Sequence, residues 1–85
     1  MDISRSEQRI LHLMAQGGAI SALKDARGHI VGAECFTREG WKLSGFDLAM
    51  FRKLKRRRAI ASAGGKSYRI TRRGLELVRS ELDNR

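Results

Sequence analysis

The segment between Asp47 and Glu76 places the strongest constraint on how this chain can fold. It contains no acidic residue and holds ten of the chain's eighteen Lys and Arg residues. A block of one sign on a small folded domain creates a field that attracts polyanions and acidic protein surfaces, whereas an ordinary solvated surface mixes both signs. The segment has to separate its apolar residues from its cations, and we interpret the cationic side as a binding surface.

An amphipathic helix over residues 47–58 achieves this separation. Asp47 is a favourable N-cap residue. The apolar residues that follow recur at helical spacing and should face the core; they are Leu48, Phe51 and Leu54. The cations project over the opposite arc, with Lys55 near its border; they are Arg52, Lys53, Arg56 and Arg57.

The composition predicts an ordered domain rather than a disordered basic tail. The chain has 85 residues, a net charge of +9 and 41% apolar residues, close to the ordinary globular range of about 45–50%. A chain of this length buries one modest core, so we predict a single domain over residues 1–85 without a large enclosed catalytic cleft. No proline or low-complexity tract marks a boundary inside it.

Cysteine content and hydropathy predict the compartment. Cys35 is the only cysteine, so an internal disulfide is impossible and a reducing compartment fits best. No window approaches the roughly 18 apolar residues that a membrane span needs. We therefore predict a cytoplasmic protein that does not engage membranes.

The first half of the chain predicts a helix followed by a hairpin. Ser4 and Glu7 have the spacing of a capping box, and the apolar residues after them predict a helix over 5–16 that ends at Gly17-Gly18. Two β-prone runs, 20–23 and 30–36, flank a turn at 25–28. Residues 41–43 are a candidate third strand.

The second half predicts another hairpin and a last helix. The runs 59–62 and 67–70 flank Ala63-Gly64-Gly65-Lys66, where paired glycines allow the positive backbone angles of a tight turn. Thr71 can cap a helix over 72–83, with Leu75, Val78 and Leu82 facing the core. The predicted fold class is α+β, in the order helix, hairpin, helix, hairpin, helix.

The second half resembles a winged helix. The resemblance is carried by the basic helix around Phe51–Arg58, the glycine-tipped hairpin, the run Tyr68-Arg69-Ile70-Thr71 and the glycine-containing start of the last helix. It implies that the helix before the wing enters the DNA major groove while the wing tip touches the backbone or the minor groove. Under this interpretation the protein is a winged-helix DNA-binding transcriptional regulator.

Six segments that extend nearly from end to end carry a second resemblance; they are Ser4–Arg9, Gly17-Gly18, Glu34–Gly40, Phe51–Lys55, Tyr68–Ile70 and Leu82–Arg85. Together they make the chain similar to the YjhX family. The resemblance implies a toxin of a bacterial toxin–antitoxin pair that inhibits DNA topoisomerase I and is relieved by a cognate antitoxin. It brings no catalytic residues with it.

We take non-catalytic inhibition of DNA topoisomerase I as the leading hypothesis and the DNA-binding regulator as the alternative. The cations could meet either DNA phosphates or an acidic protein surface, and complementary charge predicts an acidic antitoxin. The expected partners are topoisomerase I, the antitoxin and, as a further candidate, DNA. The predicted binding residues are Arg52, Lys53, Lys55, Arg56, Arg57, Lys66 and Arg69.

Other chemistry-bearing residues favour structural roles. Cys35 lies in an apolar run, and neither His12 nor His29 completes a protease signature or a zinc pattern with it. We therefore predict no enzymatic activity, metal, cofactor or small-molecule substrate. Tyr68 is expected to pack inward, while Trp41 could serve either as core or as an interface anchor.

Overall fold

A computed structural model describes residues 3–83 of the chain, with side chains as far as Arg79. It confirms the α+β class, with three helices and two small antiparallel sheets. The elements in chain order are α1 (Arg5–Ala15), β1 (Ala19–Lys24), β2 (Ile30–Phe36), α2 (Leu48–Arg56), β3 (Ile60–Ala61), β4 (Arg69–Ile70) and α3 (Arg72–Asp83). Within this range no helix has the length and apolar character needed to cross a membrane.

The predicted capping box begins α1. The Glu7 amide donates to Ser4 Oγ, and the Ser4 amide donates back to Glu7 Oε1, both at 3.1 Å. The helix ends where Gly17 takes a φ of 106° and Gly18 donates its amide to the carbonyl of Leu13. Both ends of α1 therefore follow from local sequence.

The first predicted hairpin is confirmed, and its turn is held by Asp25. Asp25 Oδ1 accepts hydrogen bonds from the amides of Arg27 and His29, each at 2.9 Å. The candidate third strand at 41–43 is reduced to a single bridge between Lys42 and Phe36. Its backbone leaves the sheet because the next residues turn away to begin α2.

One bridge joins the two hairpins into a common layer. Ile20 and Tyr68 exchange both backbone hydrogen bonds, at 3.0 and 2.7 Å. The Tyr68 ring packs edge-on against Phe51 with centroids 4.9 Å apart, so its predicted inward orientation is confirmed. The core lies between this layer and the helices, and its largest buried apolar side chains are Phe51, Leu11, Met14, Ile20 and Leu54.

Helix α2 ends earlier than predicted, because Arg58 takes a left-handed conformation with a φ of 58°. The amides of Arg58 and Ala59 donate to the carbonyls of Lys55 and Leu54, which is the Schellman pattern of a helix end. Glycine normally holds this position, since a left-handed backbone costs an L-residue about 1–2 kcal/mol. The sequence gives no glycine signal here, so the predicted end at 58 was too late.

This conformation yields a stability prediction. Arg58→Gly should raise the free energy of unfolding by about 0.5–1 kcal/mol, because glycine adopts a positive φ without the penalty of a Cβ. Urea unfolding measures it. The matched control, Arg56→Gly, places glycine inside α2 and should lower the free energy by about 1 kcal/mol; a destabilised Arg58→Gly protein would contradict the argument.

Helix α3 is attached to the end of α2 through Thr71. Thr71 Oγ1 accepts from the Gly74 amide at 3.1 Å, which confirms the predicted cap, and donates to the Arg58 carbonyl at 2.7 Å. Leu75 was predicted to face the core but is 38% exposed, because Gly74 and Val78 form the packed face of the helix. The predicted core position Leu82 lies outside the described side chains.

Candidate functional site: a cationic groove between two helices

A groove of about 680 Å³ lies between the end of α2 and the start of α3. The described residues that line it are Lys53, Arg56, Arg57, Arg58, Arg73 and Leu77. Five of these six are cations, and none of them is acidic. We call it the α2–α3 groove. Five like charges around one concave surface produce a positive potential that favours an anionic ligand.

Local structure explains how the cations converge. Lys53 and Arg56 stand one helical turn apart on α2, where cations also interact favourably with the helix dipole. The left-handed conformation of Arg58 places this residue beside the groove just after α2 ends. The hydrogen bond from Thr71 to the Arg58 carbonyl holds the first turn of α3, and with it Arg73, close to Arg58. The groove is thus set by backbone geometry at the α2 terminus.

Four of these cations have no carboxylate partner among the described side chains. Lys53, Arg56, Arg58 and Arg73 are exposed, and no ion pair joins any of them to another described side chain. Arg73 also lies in the first turn of a helix that has no acidic residue there, where a cation is disfavoured by the dipole. Binding an anion would relieve this repulsion.

Arg57 differs from the other four because it is bound to Glu7. Its Nε donates to Glu7 Oε2, and the side chains of Glu7 and Arg57 are 2% and 21% exposed. Burial raises the pKa of Glu7, but hydrogen bonds from Arg57 and Ser4 and the Arg57 charge outweigh it and hold the pKa below its ordinary value. Arg57 therefore forms a fixed wall of the groove.

The remaining predicted binding residues lie elsewhere. Arg52 is exposed on α2, and Lys55 Nζ stands 5.6 Å from the centre of the Phe51 ring. Lys66 lies in the second hairpin turn, while Arg69 donates to the carbonyls of Gly17 and Gly18 at 3.0 and 3.3 Å. The structure thus gathers Lys53, Arg56 and Arg57 of the predicted set.

Arg58 and Arg73 are the groove cations that sequence reasoning did not assign. Both belong to the acid-free segment, but their meeting depends on a left-handed residue without a glycine signal. It also depends on the close packing of α3 at Gly74. The adjacent basic pair Arg72-Arg73 at a capped helix start was the sequence signal that could have indicated a cationic site at α3.

The exposure of Cys35 and Trp41 decides between the roles that the sequence left open for them. Cys35 is fully buried, and burial raises its pKa to about 11, so its thiol has the properties of a core residue rather than a nucleophile. Trp41 is 74% exposed, so the core interpretation of this residue is wrong. Within the described residues no cluster of three or more His, Cys, Asp or Glu side chains could hold a metal.

Comparison with known proteins defines the class of this chain. A family described as "Putative toxin of bacterial toxin-antitoxin pair" matches residues 1–85. The chain belongs to this family, the YjhX toxin family. It is 65% identical to a UPF0386 protein of Chelativorans sp. over 85 residues, covering 100% of both chains, and 63% identical to one of Hyphomonas neptunium over 84 residues, covering 99% of both. No solved structure matches it.

Proposed function

We propose that this protein acts as a toxin by binding DNA topoisomerase I without chemistry of its own, and that the α2–α3 groove is the contact surface. The observation that carries the proposal is the convergence in one groove of four exposed cations that form no ion pair with a described side chain. Membership of the toxin family supports the biological role. The choice of topoisomerase I as target rests on the sequence resemblance to that family.

The groove suits an acidic protein surface. Arginine guanidinium groups form bidentate, charge-assisted hydrogen bonds with carboxylates. The groove has three exposed guanidinium groups, those of Arg56, Arg58 and Arg73. Leu77 adds an apolar element that a partner side chain can cover. An acidic antitoxin that covers the same groove would compete directly with the target. Its negative charge, complementary to the groove, would speed its own association with the toxin.

Charge reversal tests this assignment. Arg56→Glu/Arg73→Glu should weaken binding to purified topoisomerase I, measured without DNA, by about a hundredfold or more, because two attractive contacts become repulsive. Both residues are exposed and form no ion pair within the described part of the chain, so the fold should survive. Arg57 is unsuitable for this test because reversing it would break the pair with Glu7.

The matched control is Arg27→Glu/Arg79→Glu. It makes the same change in net charge at exposed arginines outside the groove. The control should bind within about threefold of the wild type, since only long-range steering changes. Equal losses in both double variants would show that binding depends on net charge rather than on the groove.

A DNA-binding regulator is the second candidate, because the same exposed cations suit phosphates. In that case duplex DNA binds without the enzyme, and log K falls with log salt by about 0.9 for each phosphate contacted. A regulator also discriminates among sequences, which contacts to phosphates alone do not achieve. Salt-dependent DNA binding together with no topoisomerase binding would favour this candidate.

A further inference from the structure

The two hairpins separate just beyond the bridge that joins them. Ile20 directs both of its backbone groups to Tyr68, so the alternation of an antiparallel strand directs those of Ala22 the same way. Lys66 would be the next partner, but its amide donates to the Ala63 carbonyl within the hairpin turn, at 3.3 Å. The sheet therefore opens into a cleft at Ala22.

The cleft has a volume of about 160 Å³ and is separate from the α2–α3 groove. Its polar lining consists of three serine hydroxyls, a tyrosine and two lysines; the lining residues are Ser21, Ala22, Lys24, Ser62, Gly65, Lys66, Ser67 and Tyr68. None of them is acidic. The nearest carboxylate along the chain, Asp25, is held in its own turn by the amides of Arg27 and His29.

This set of groups selects the charge of a ligand. The lysine ammonium groups donate hydrogen bonds and cannot accept them. The serine hydroxyls and the Ala22 amide, which points toward the cleft, can donate as well. Two ammonium groups disfavour a metal cation, while a tetrahedral oxyanion can accept from all of these donors. Since a water molecule occupies about 30 Å³, the cleft holds one phosphate group with a few waters.

We propose that the cleft between the two hairpins binds a single phosphate group, with Lys24 and Lys66 supplying the charge and the serines orienting the oxygens. The phosphate can come from a nucleic-acid backbone or from a free phosphate compound. This assignment is independent of topoisomerase binding, because none of its residues lines the α2–α3 groove. It also gives Lys66 a role apart from the helix cations.

Amide NMR titration with sodium phosphate, against sodium chloride at equal ionic strength, tests the site. Phosphate should produce saturable shifts at Ala22, Gly65 and Ser67 that chloride does not produce. Lys24→Gln/Lys66→Gln should raise the apparent Kd at least tenfold, about the loss of one charge-assisted hydrogen bond. Arg27→Gln/Arg79→Gln, with the same change of charge outside the cleft, should leave the Kd unchanged.

Shifts that are equal in chloride, or a Kd unaffected by Lys24→Gln/Lys66→Gln, would overturn the proposal. A short oligothymidylate distinguishes the two sources. If it saturates the same amides more tightly than phosphate does, the cleft holds a phosphodiester. If it leaves them unshifted while inorganic phosphate saturates them, the ligand is a free phosphate compound.

Discussion

Replacing Glu7 with alanine is expected to lower the free energy of unfolding by about 3 kcal/mol or more, because it removes the buried carboxylate half of the Glu7–Arg57 pair. The same change removes the acceptor for the Ser4 amide at the start of α1. Urea unfolding at neutral pH measures the loss. A stability within about 0.5 kcal/mol of the wild type, the range of an ordinary surface change, would contradict it.

Glu76→Ala is the matched control for Glu7→Ala. Glu76 is exposed on α3 and makes no ion pair with a described residue. Its removal should change stability by no more than about 0.5 kcal/mol. Comparable losses from the two substitutions would mean that overall charge, rather than the buried pair, determines stability.

Glu7 also predicts a pH dependence with a definite sign. Its folded-state pKa is lowered, so its contribution to stability is fully present above the unfolded-state pKa and is lost as the pH falls through the folded-state pKa. Glu7→Gln cannot titrate at this position. The stability difference between the wild type and Glu7→Gln should therefore be largest near neutral pH and shrink on acidification below about 4.5.

Gly74→Ala is the second substitution expected to have a large effect, with a loss of about 2–3 kcal/mol. An added Cβ would lie 2.4 Å from the Ala59 carbonyl oxygen and 2.6 Å from Ile70 Cγ1. The oxygen belongs to the backbone and cannot rotate away, so α3 has to move outward. This cost exceeds the gain of about 1 kcal/mol that alanine brings to a helix interior.

The movement of α3 should also displace Arg73 and weaken the α2–α3 groove. Thermal or urea unfolding measures the stability term, and binding to topoisomerase I measures the effect on the groove. Arg72→Ala, an exposed change in the same turn, should alter stability by no more than about 0.5 kcal/mol. A Gly74→Ala protein more stable than the wild type would show that the contact relaxes easily.

Local signals in the sequence predicted the elements of the fold well. The capping box at Ser4 and Glu7, the turn at Asp25 and the Thr71 cap each satisfy backbone groups within a few residues, so the sequence pattern contains the needed information. The prediction that Leu75 faces the core was wrong, because helical spacing alone did not reveal that α3 makes its closest contact at Gly74. Packing, rather than periodicity, sets the rotation of α3.

The site was harder to predict because it depends on long-range pairing. Glu7 and Arg57 are 50 positions apart, so nothing near Arg57 distinguished it from its neighbours on the helix. Arg58 contributes through a strained left-handed turn, which directs a cation to the groove. If Arg58→Gly gains stability while losing binding, the strain is retained for the groove.

Relaxation of supercoiled plasmid by purified topoisomerase I tests the central claim most directly. Wild-type protein and Arg27→Glu/Arg79→Glu should inhibit relaxation, whereas Arg56→Glu/Arg73→Glu should not, with all three shown to be folded. Inhibition should depend on the ratio of protein to enzyme and not on the amount of plasmid. Absence of inhibition by the wild type, or equal inhibition by the groove variant, would contradict the account.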